Sequence, residues 1–414
     1  MASPSNGLPT ALGHIRVLDL SRVLAGPWCA QNLADLGADV IKIERPGAGD
    51  DTRAWGPPYA PDADGNDTSE AAYYLSANRG KRSVTVDIAS SEGQALLREL
   101  VLHCDVVLEN FKVGHLKRYG LDYESLKALK PDLVYCSITG FGQDGPYAHR
   151  AGYDFLIQGM GGLMSITGER DDLPGGGPQK AGVAITDLMT GMYATIAVMA
   201  ALTHRDRTGQ GQHIDMSLLD TQVAMLANVG SNYLNSGKRP KRWGNAHANI
   251  VPYQTFACSD GHLIVATGND GQYRKFVEAG GRPDLAHDPR FATNPLRVQN
   301  RDVLVPLLDD MVLEKPRDEW IALLEAVGVP CGPINNLDEV FDNPQVRARE
   351  MEVKLPHPLA GEVKLVRSPM KMSATPATSP LAPPLLGQHT DAVLAEVLGK
   401  SSDEIAALRA KKVL

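Results

Sequence analysis

The sequence predicts an α/β fold: a large doubly wound, Rossmann-like parallel-sheet domain plus a smaller α+β domain. Two observations predict the sheet. Short apolar runs at residues 15–20, 39–43, 83–86, 105–108 and 133–137 read as buried strands, and stretches of helical period at 27–36, 92–103 and 123–129 fall between them. Strands that alternate with helices of this length form a parallel sheet covered on both faces. A third observation sets the smaller unit apart. The polar, basic stretch 235–243, with Gly237, Lys238, Arg239, Pro240, Lys241 and Arg242, interrupts the pattern.

In chain order, residues 1–14 carry no Lys or Arg and no apolar core, so they read as a flexible tail, not a signal or transit peptide. The strand at 15–20 passes through Ser21-Arg22-Val23-Leu24-Ala25-Gly26-Pro27 into a helix, and the second strand leads to Glu44, where a dinucleotide-binding fold places its ribose acid. That turn holds one glycine instead of Gly-x-Gly-x-x-Gly, which argues against nicotinamide binding. Residues 188–202 are strongly apolar over 15 positions, short of the roughly 20 that span a bilayer, and read as a buried core helix. A strand at 212–217 and a helix at 218–234 precede the linker. Beyond it come a strand at 262–266 and helices at 272–278, 301–313 and 318–326, with an exit at Val329-Pro330-Cys331-Gly332-Pro333. Strand patches at 352–355 and 363–366, a Pro-rich stretch at 375–384 and helices from Thr390 complete the chain.

Composition narrows the function classes. The 414 residues are 43% hydrophobic and 22% charged, ordinary for a globular protein, and the net charge of -8 gives no footprint for nucleic acid or anionic membrane. Five scattered cysteines, Cys29, Cys104, Cys136, Cys258 and Cys331, contain no Cys-x-x-Cys, so no metal site is expected and a reducing, cytoplasmic setting is. Asp187 is the only acidic or basic side chain between Lys180 and His204. A lone carboxylate in an apolar run is either a helix cap or a group put to use.

Motifs along nearly the whole chain narrow it further. Val17-Leu18-Asp19-Leu20-Ser21-Arg22, Leu36-Gly37-Ala38-Asp39-Val40-Ile41-Lys42-Ile43-Glu44-Arg45-Pro46-Gly47, Glu109-Asn110-Phe111, Thr139-Gly140-Phe141-Gly142, Gly332-Pro333-Ile334 and Pro384-Leu385-Leu386-Gly387-Gln388-His389-Thr390 occur in that order. In this the chain resembles class III CoA-transferases. Arg242-Trp243-Gly244, Ile250-Val251-Pro252-Tyr253-Gln254 and Pro333-Ile334-Asn335-Asn336 resemble the dicarboxylate branch that moves CoA from succinyl-CoA to glutarate.

The resemblance implies a catalytic aspartate at Asp187, which passes through a mixed anhydride and an aspartyl-CoA thioester, so that one hard transfer becomes several easier ones. It implies CoA thioesters as substrates with no permanently bound cofactor. It assigns CoA contacts to Arg45, Val86, Asp87, Asn110, Phe111, Arg118, Gly140 and Phe141, and places Leu24 where formyl-transferring relatives have a glutamine. Charge matching adds Arg22, Arg53 and Arg242 as candidate partners of a second carboxylate. A helix starting at Asp187 would hold its charge and the tetrahedral oxyanions with free N–H groups, and Gly175-Gly176-Gly177 could flex as a lid. The resemblance further implies an interlocked homodimer, with residues 1–225 the first part of the large domain, 226–328 the small domain and 329–414 returning to the large one.

Two other readings stand beside this one. A 2-methylacyl-CoA racemase of the same fold pairs a His with the matching Asp, in a Gly-His-Asp triplet; here the triplet is Gly152-Tyr153-Asp154, and His149 lies upstream. A CoA-binding protein without turnover is the other.

Overall fold

The computed structural model describes residues 9–414, which form two compact units. The first comprises the chain up to Gly161, Gly182–Met225 and Pro344–Leu414; the second comprises Gly162–Ala181 and Leu226–Asn343. The division departs from the expected boundaries twice. Residues 162–181, with the Gly175-Gly176-Gly177 turn, and residues 329–343 both belong to the second unit.

The first unit is built on six parallel strands: Arg16–Asp19, Asp39–Glu44, Lys81–Thr85, Val106–Glu109, Val134–Thr139 and Gln212–Ser217. Numbered in that order they lie side by side as 3-2-1-4-5-6, the order of dinucleotide-binding sheets. Alternation along each strand feeds a core on either face. Val17, Val106, Leu108 and Val134 pack on one side with the helices Ala25–Asp35 and Ile185–Thr208; Leu18, Val107, Tyr135 and Val84 pack on the other with Ser91–Val101, Thr390–Leu398 and Ser402–Ala410. The C-terminal motif is a sheet-edge seal. Gly387 N–H donates to Ser83 Oγ (2.8 Å), His389 N–H to the Ser83 carbonyl (2.9 Å), and Thr85 N–H to Thr390 Oγ1 (3.1 Å).

Three expectations change. The tail reading for residues 1–14 falls partly outside the described residues; within them, Leu12 is buried in the core and donates to Leu36 O at 3.0 Å, so this stretch is anchored. The 218–234 helix is broken into Leu218–Ala224 and Ala227–Ser236, with Ala227 at φ +44° after the break. The apolar run 188–202 lies in a 24-residue helix, long and apolar enough to cross a membrane by length and composition, of which half the most apolar stretch is buried. Met192, Tyr193 and Ile196 on that helix are exposed, Ile196 by 61%.

The second unit pairs Tyr253–Cys258, Gly261–Ala266 and Cys331–Gly332 in an antiparallel sheet. Phe256, Phe276, Leu308 and Trp320 fill its core. Arg297 is fully buried there, satisfied by Val251 O, Phe291 O and the Asp270 carboxylate.

Candidate active site

In a sheet of this order, ligands settle where the strand sequence reverses, beyond the carboxyl ends of strands 1 and 4. Those strands end at Asp19 and Glu109, and the loops after them are tied together. Arg22 N–H donates to Asn110 Oδ1 (2.9 Å) while Asn110 Nδ2 donates to Arg22 O (2.6 Å). The Asn110 amide, expected to touch CoA, is thus occupied in closing this crevice. Glu109 accepts from Phe111 N–H at 2.7 Å, and burial pushes its pKa up to about 7 against the hydrogen bonds of Ser137 and Phe111.

Two cavities flank the tie. One, of about 320 Å³, is lined by Arg45, Val86, Asp87, Phe111, Arg118 and Tyr119 among others, so five of the expected CoA contacts converge on it. Phe111 stacks on His115 (5.4 Å between ring centres), and Arg118 lies over Tyr119 (4.7 Å). Burial, then the charges of Arg118, Arg22 and Lys112, lower the His115 pKa, so its neutral ring can accept from Arg118 Nη2 at 2.8 Å. Apolar ring faces together with Arg45 and Arg118, which have no carboxylate within ion-pair distance among the described residues, suit a nucleotide with phosphates.

The other cavity, of about 180 Å³, is lined by Arg22, Leu24, Asn110, Phe111, Gly140 and Asp187, together with Lys112, Arg150 and Tyr153. Phe111 and Arg22 belong to both cavities. Gly140 is there for a backbone reason: a Cβ on it would lie 2.6 Å from the Gly152 Cα, so the Thr139–Gly142 turn and the loop leading to Tyr153 touch main chain to main chain. Phe141 does not line the cavity; it is a core residue with Arg150 stacked on it (5.2 Å).

Asp187 is 9% exposed and is the third residue of its helix, in the first turn after Ala184, so it is not the cap. The cap comes from another part of the chain. Asp154 Oδ1 accepts from the N–H groups of Thr186 (2.8 Å) and Asp187 (3.2 Å), and Asp154 Oδ2 accepts from Gln158 Nε2 (2.6 Å). Such a cap contributes ~1 kcal/mol to a helix. Because Ile185 and Leu188 N–H also have carbonyl partners, the helix start has no free donors for Asp187, contrary to expectation. Burial first, and then the charge of Asp154, push the Asp187 pKa up to about 7.

A different helix start faces this cavity. Leu24 and Ala25 line it at the beginning of Ala25–Asp35, which has no side-chain cap and no acid in its first turn. Gly191, one turn beyond Asp187 on the same helix face, lets it come close: a Cβ there would lie 2.7 Å from Ala25 O. The loop before it is held under strain, since Val23 is β-branched and has φ +72°. Its N–H donates to both oxygens of buried Asp50 (3.2 and 3.3 Å), and Lys42 Nζ pins Asp50 (2.9 Å) and Ser21 O (3.0 Å). Burial works against the Asp50 charge, but Lys42 and Thr52 bring its pKa down to about 2.

The arginines expected to read a second carboxylate fare differently. Arg22 is on the cavity but pairs with Asp51 at 3.1 Å. Arg53 is a structural residue: its guanidinium bonds both Glu44 oxygens (2.7 and 2.8 Å), Tyr74 OH and Pro384 O. Arg242 belongs to the second unit and pairs with Asp171. Sequence reasoning missed Asp154, Arg150 and Lys112. The acidic and basic residue types were visible, but not that the fold sets Arg150 and Lys112 on Asp187's cavity and Asp154 against the start of its helix. Tyr153, in the racemase histidine's place, is 66% exposed on the cavity wall. Among the described residues no cluster of side chains suited to a metal occurs.

The fold is a dinucleotide-type parallel sheet with a buried carboxylate beside a cation-lined cavity, and the chain belongs to CoA-transferase family III, whose pattern matches residues 12–390. It is an enzyme that transfers CoA, with CoA thioesters as its substrates. It is 52% identical over 386 residues to succinate–glutarate CoA-transferase of Agrobacterium fabrum, covering 93% of this chain and 95% of that one. It is 46% identical to succinyl-CoA:glutarate CoA-transferase of Mus musculus, covering 94% and 86%. A crystal structure of a CAIB/BAIF family protein from Brucella suis, 51% identical, superposes with a TM-score of 0.81 over 96% of this chain and 100% of that one.

Proposed function

We propose that this enzyme transfers CoA from succinyl-CoA to a dicarboxylate, glutarate in the first place, with Asp187 as the covalent carrier. The observation that carries the reading is a buried, nearly isolated carboxylate on the wall of a small cavity that shares Phe111 with the larger, cation-lined one. The names of the two relatives supply the substrate class.

In the proposed cycle the ionised Asp187 attacks the thioester carbonyl, the C–S bond breaks, and CoA thiolate leaves a succinyl-aspartyl anhydride. The thiolate attacks the aspartyl carbonyl and releases succinate, giving an aspartyl-CoA thioester. Glutarate attacks that carbonyl, thiolate leaves again, and its attack on the glutaryl carbonyl of the new anhydride frees Asp187 and glutaryl-CoA. No net proton or electron is exchanged. The uncapped helix start at Leu24 and Ala25 supports stabilisation of the tetrahedral oxyanions, because its unused N–H groups and dipole favour negative charge there.

We place the enzyme in a reducing, cytoplasmic setting and read it as a homodimer, with Met192, Tyr193 and Ile196 covered by a second copy of the chain. Labelled CoA should move from succinyl-CoA to glutarate, and Asp187→Ala should abolish exchange while leaving CoA binding within a few fold. Exchange at the parental rate in that variant would sink the covalent mechanism. Loss of the alpha hydrogen to deuterated water without any acceptor acid would favour a racemase.

A further inference from the structure

We propose that Arg150 binds the distal carboxylate of the diacid while the proximal carboxyl reacts at Asp187. This rests on the dicarboxylate reading above and names the residue that sets it.

Arg150 and Asp187 line the same cavity. Of the arginines considered for this role, Arg53 and Arg242 are committed elsewhere and Arg22 is neutralised by Asp51. Arg150 has no carboxylate within ion-pair distance among the described residues; its guanidinium lies over the Tyr147 ring (4.6 Å) and the Phe141 ring (5.2 Å). Stacking on two aromatic faces orients a guanidinium without using up its N–H fork, which remains free for a carboxylate. Phe141 is itself fixed in the core at the end of the Thr139–Gly142 turn, so the platform is tied to the sheet. Arg150 is not the counter-ion of Asp187, whose pKa is set by burial and by Asp154, both raising it. A cation in the cavity that leaves the nucleophile unpaired is placed for the other end of a short diacid. Lys112 also lines this cavity, but a single ammonium lacks the planar fork that holds a carboxylate in one orientation.

The test is the ratio of kcat/KM for glutarate to that for butyrate as acceptor, measured with succinyl-CoA as common donor so that donor effects cancel. Arg150→Met should lower this ratio ~10- to 100-fold, the usual weight of a hydrogen bond to a charged group. Arg150→Lys should restore part of it. An unchanged ratio in the Met variant would overturn the assignment, and so would a Lys variant no better than Met, which would trace the effect to lost packing on Tyr147 and Phe141. Arg150 is exposed, so both variants should fold with parental thermal midpoints. A parent enzyme that fails to exchange CoA between succinyl-CoA and glutarate would instead overturn the functional reading on which this rests.

Discussion

Replacing Asp154 with Asn should make Asp187 a stronger acid and leave the helix start intact. The Asn side chain keeps Oδ1 to accept from Thr186 and Asp187 N–H, so the cap survives; only Gln158 must turn its amide to face the new Nδ2. What disappears is a negative charge. The Asp187 pKa rises from 3.8 to about 7 through burial first and Asp154 second, so Asp154 accounts for less than half of the rise, ~1 pH unit or ~1.4 kcal/mol. The nucleophile must be ionised, so kcat/KM for succinyl-CoA should rise with pH through the Asp187 pKa in the free enzyme. In Asp154→Asn this limb should move ~1 unit toward acid. Glu109 also titrates near pH 7, but its pKa is set by burial, Ser137 and Phe111, so its contribution stays in place and the displacement isolates Asp187. Stability should follow the same sign. A carboxyl whose folded pKa is raised gives its protonated form an advantage that is full below pH ~4 and lost as pH rises through about 7. The loss of thermal midpoint across that window should therefore be smaller in the variant. A pH–rate limb that stays put or moves toward base would refute this account of how Asp187 is tuned.

Two further substitutions separate structure from recognition. Arg53→Met should lower the thermal midpoint sharply, because it leaves buried Glu44 unpaired at a typical cost of ~3–5 kcal/mol, while the glutarate-to-butyrate ratio of the folded enzyme stays parental; a changed ratio would return Arg53 to the substrate. Arg118→Met should raise KM ~10-fold for succinyl-CoA but not for succinyl-pantetheine, which lacks the nucleotide, and equal effects on both would remove Arg118 from the phosphates.

Much of the first unit was legible because its strands are buried on both faces and so read as continuous apolar runs. The spatial order was not, since register and crossover depend on contacts between distant segments. The start of the helix that carries Asp187 shows the limit. Asp154 caps a helix 33 residues away, and no local spacing rule reaches that far. Charge matching chose Arg53 and Arg242 because a cation's partner cannot be read from its own neighbourhood. Arg45 and Arg118 were placed by family resemblance, and the fold brings them to one cavity with Val86, Asp87 and Phe111.

The missing glycine fingerprint after the first strand gains a physical meaning from where close backbone contacts do occur. A dinucleotide fold spends its glycines on bringing the pyrophosphate to the first helix start. Here the chain has the same strand order, and two of its tight backbone approaches, Gly140 against Gly152 and Gly191 against Ala25, lie around the cavity that holds Asp187. In the proposed complex the phosphates are then left to side-chain cations on the neighbouring cavity, Arg45 and Arg118. This exchange frees the first helix start, at Leu24 and Ala25, for the reacting carbonyl. Under the proposed reaction that is where negative charge develops, and Asp154 has already taken the donors at the nucleophile's own helix. One dinucleotide-type scaffold can thus serve acyl transfer by moving phosphate recognition from backbone to side chains.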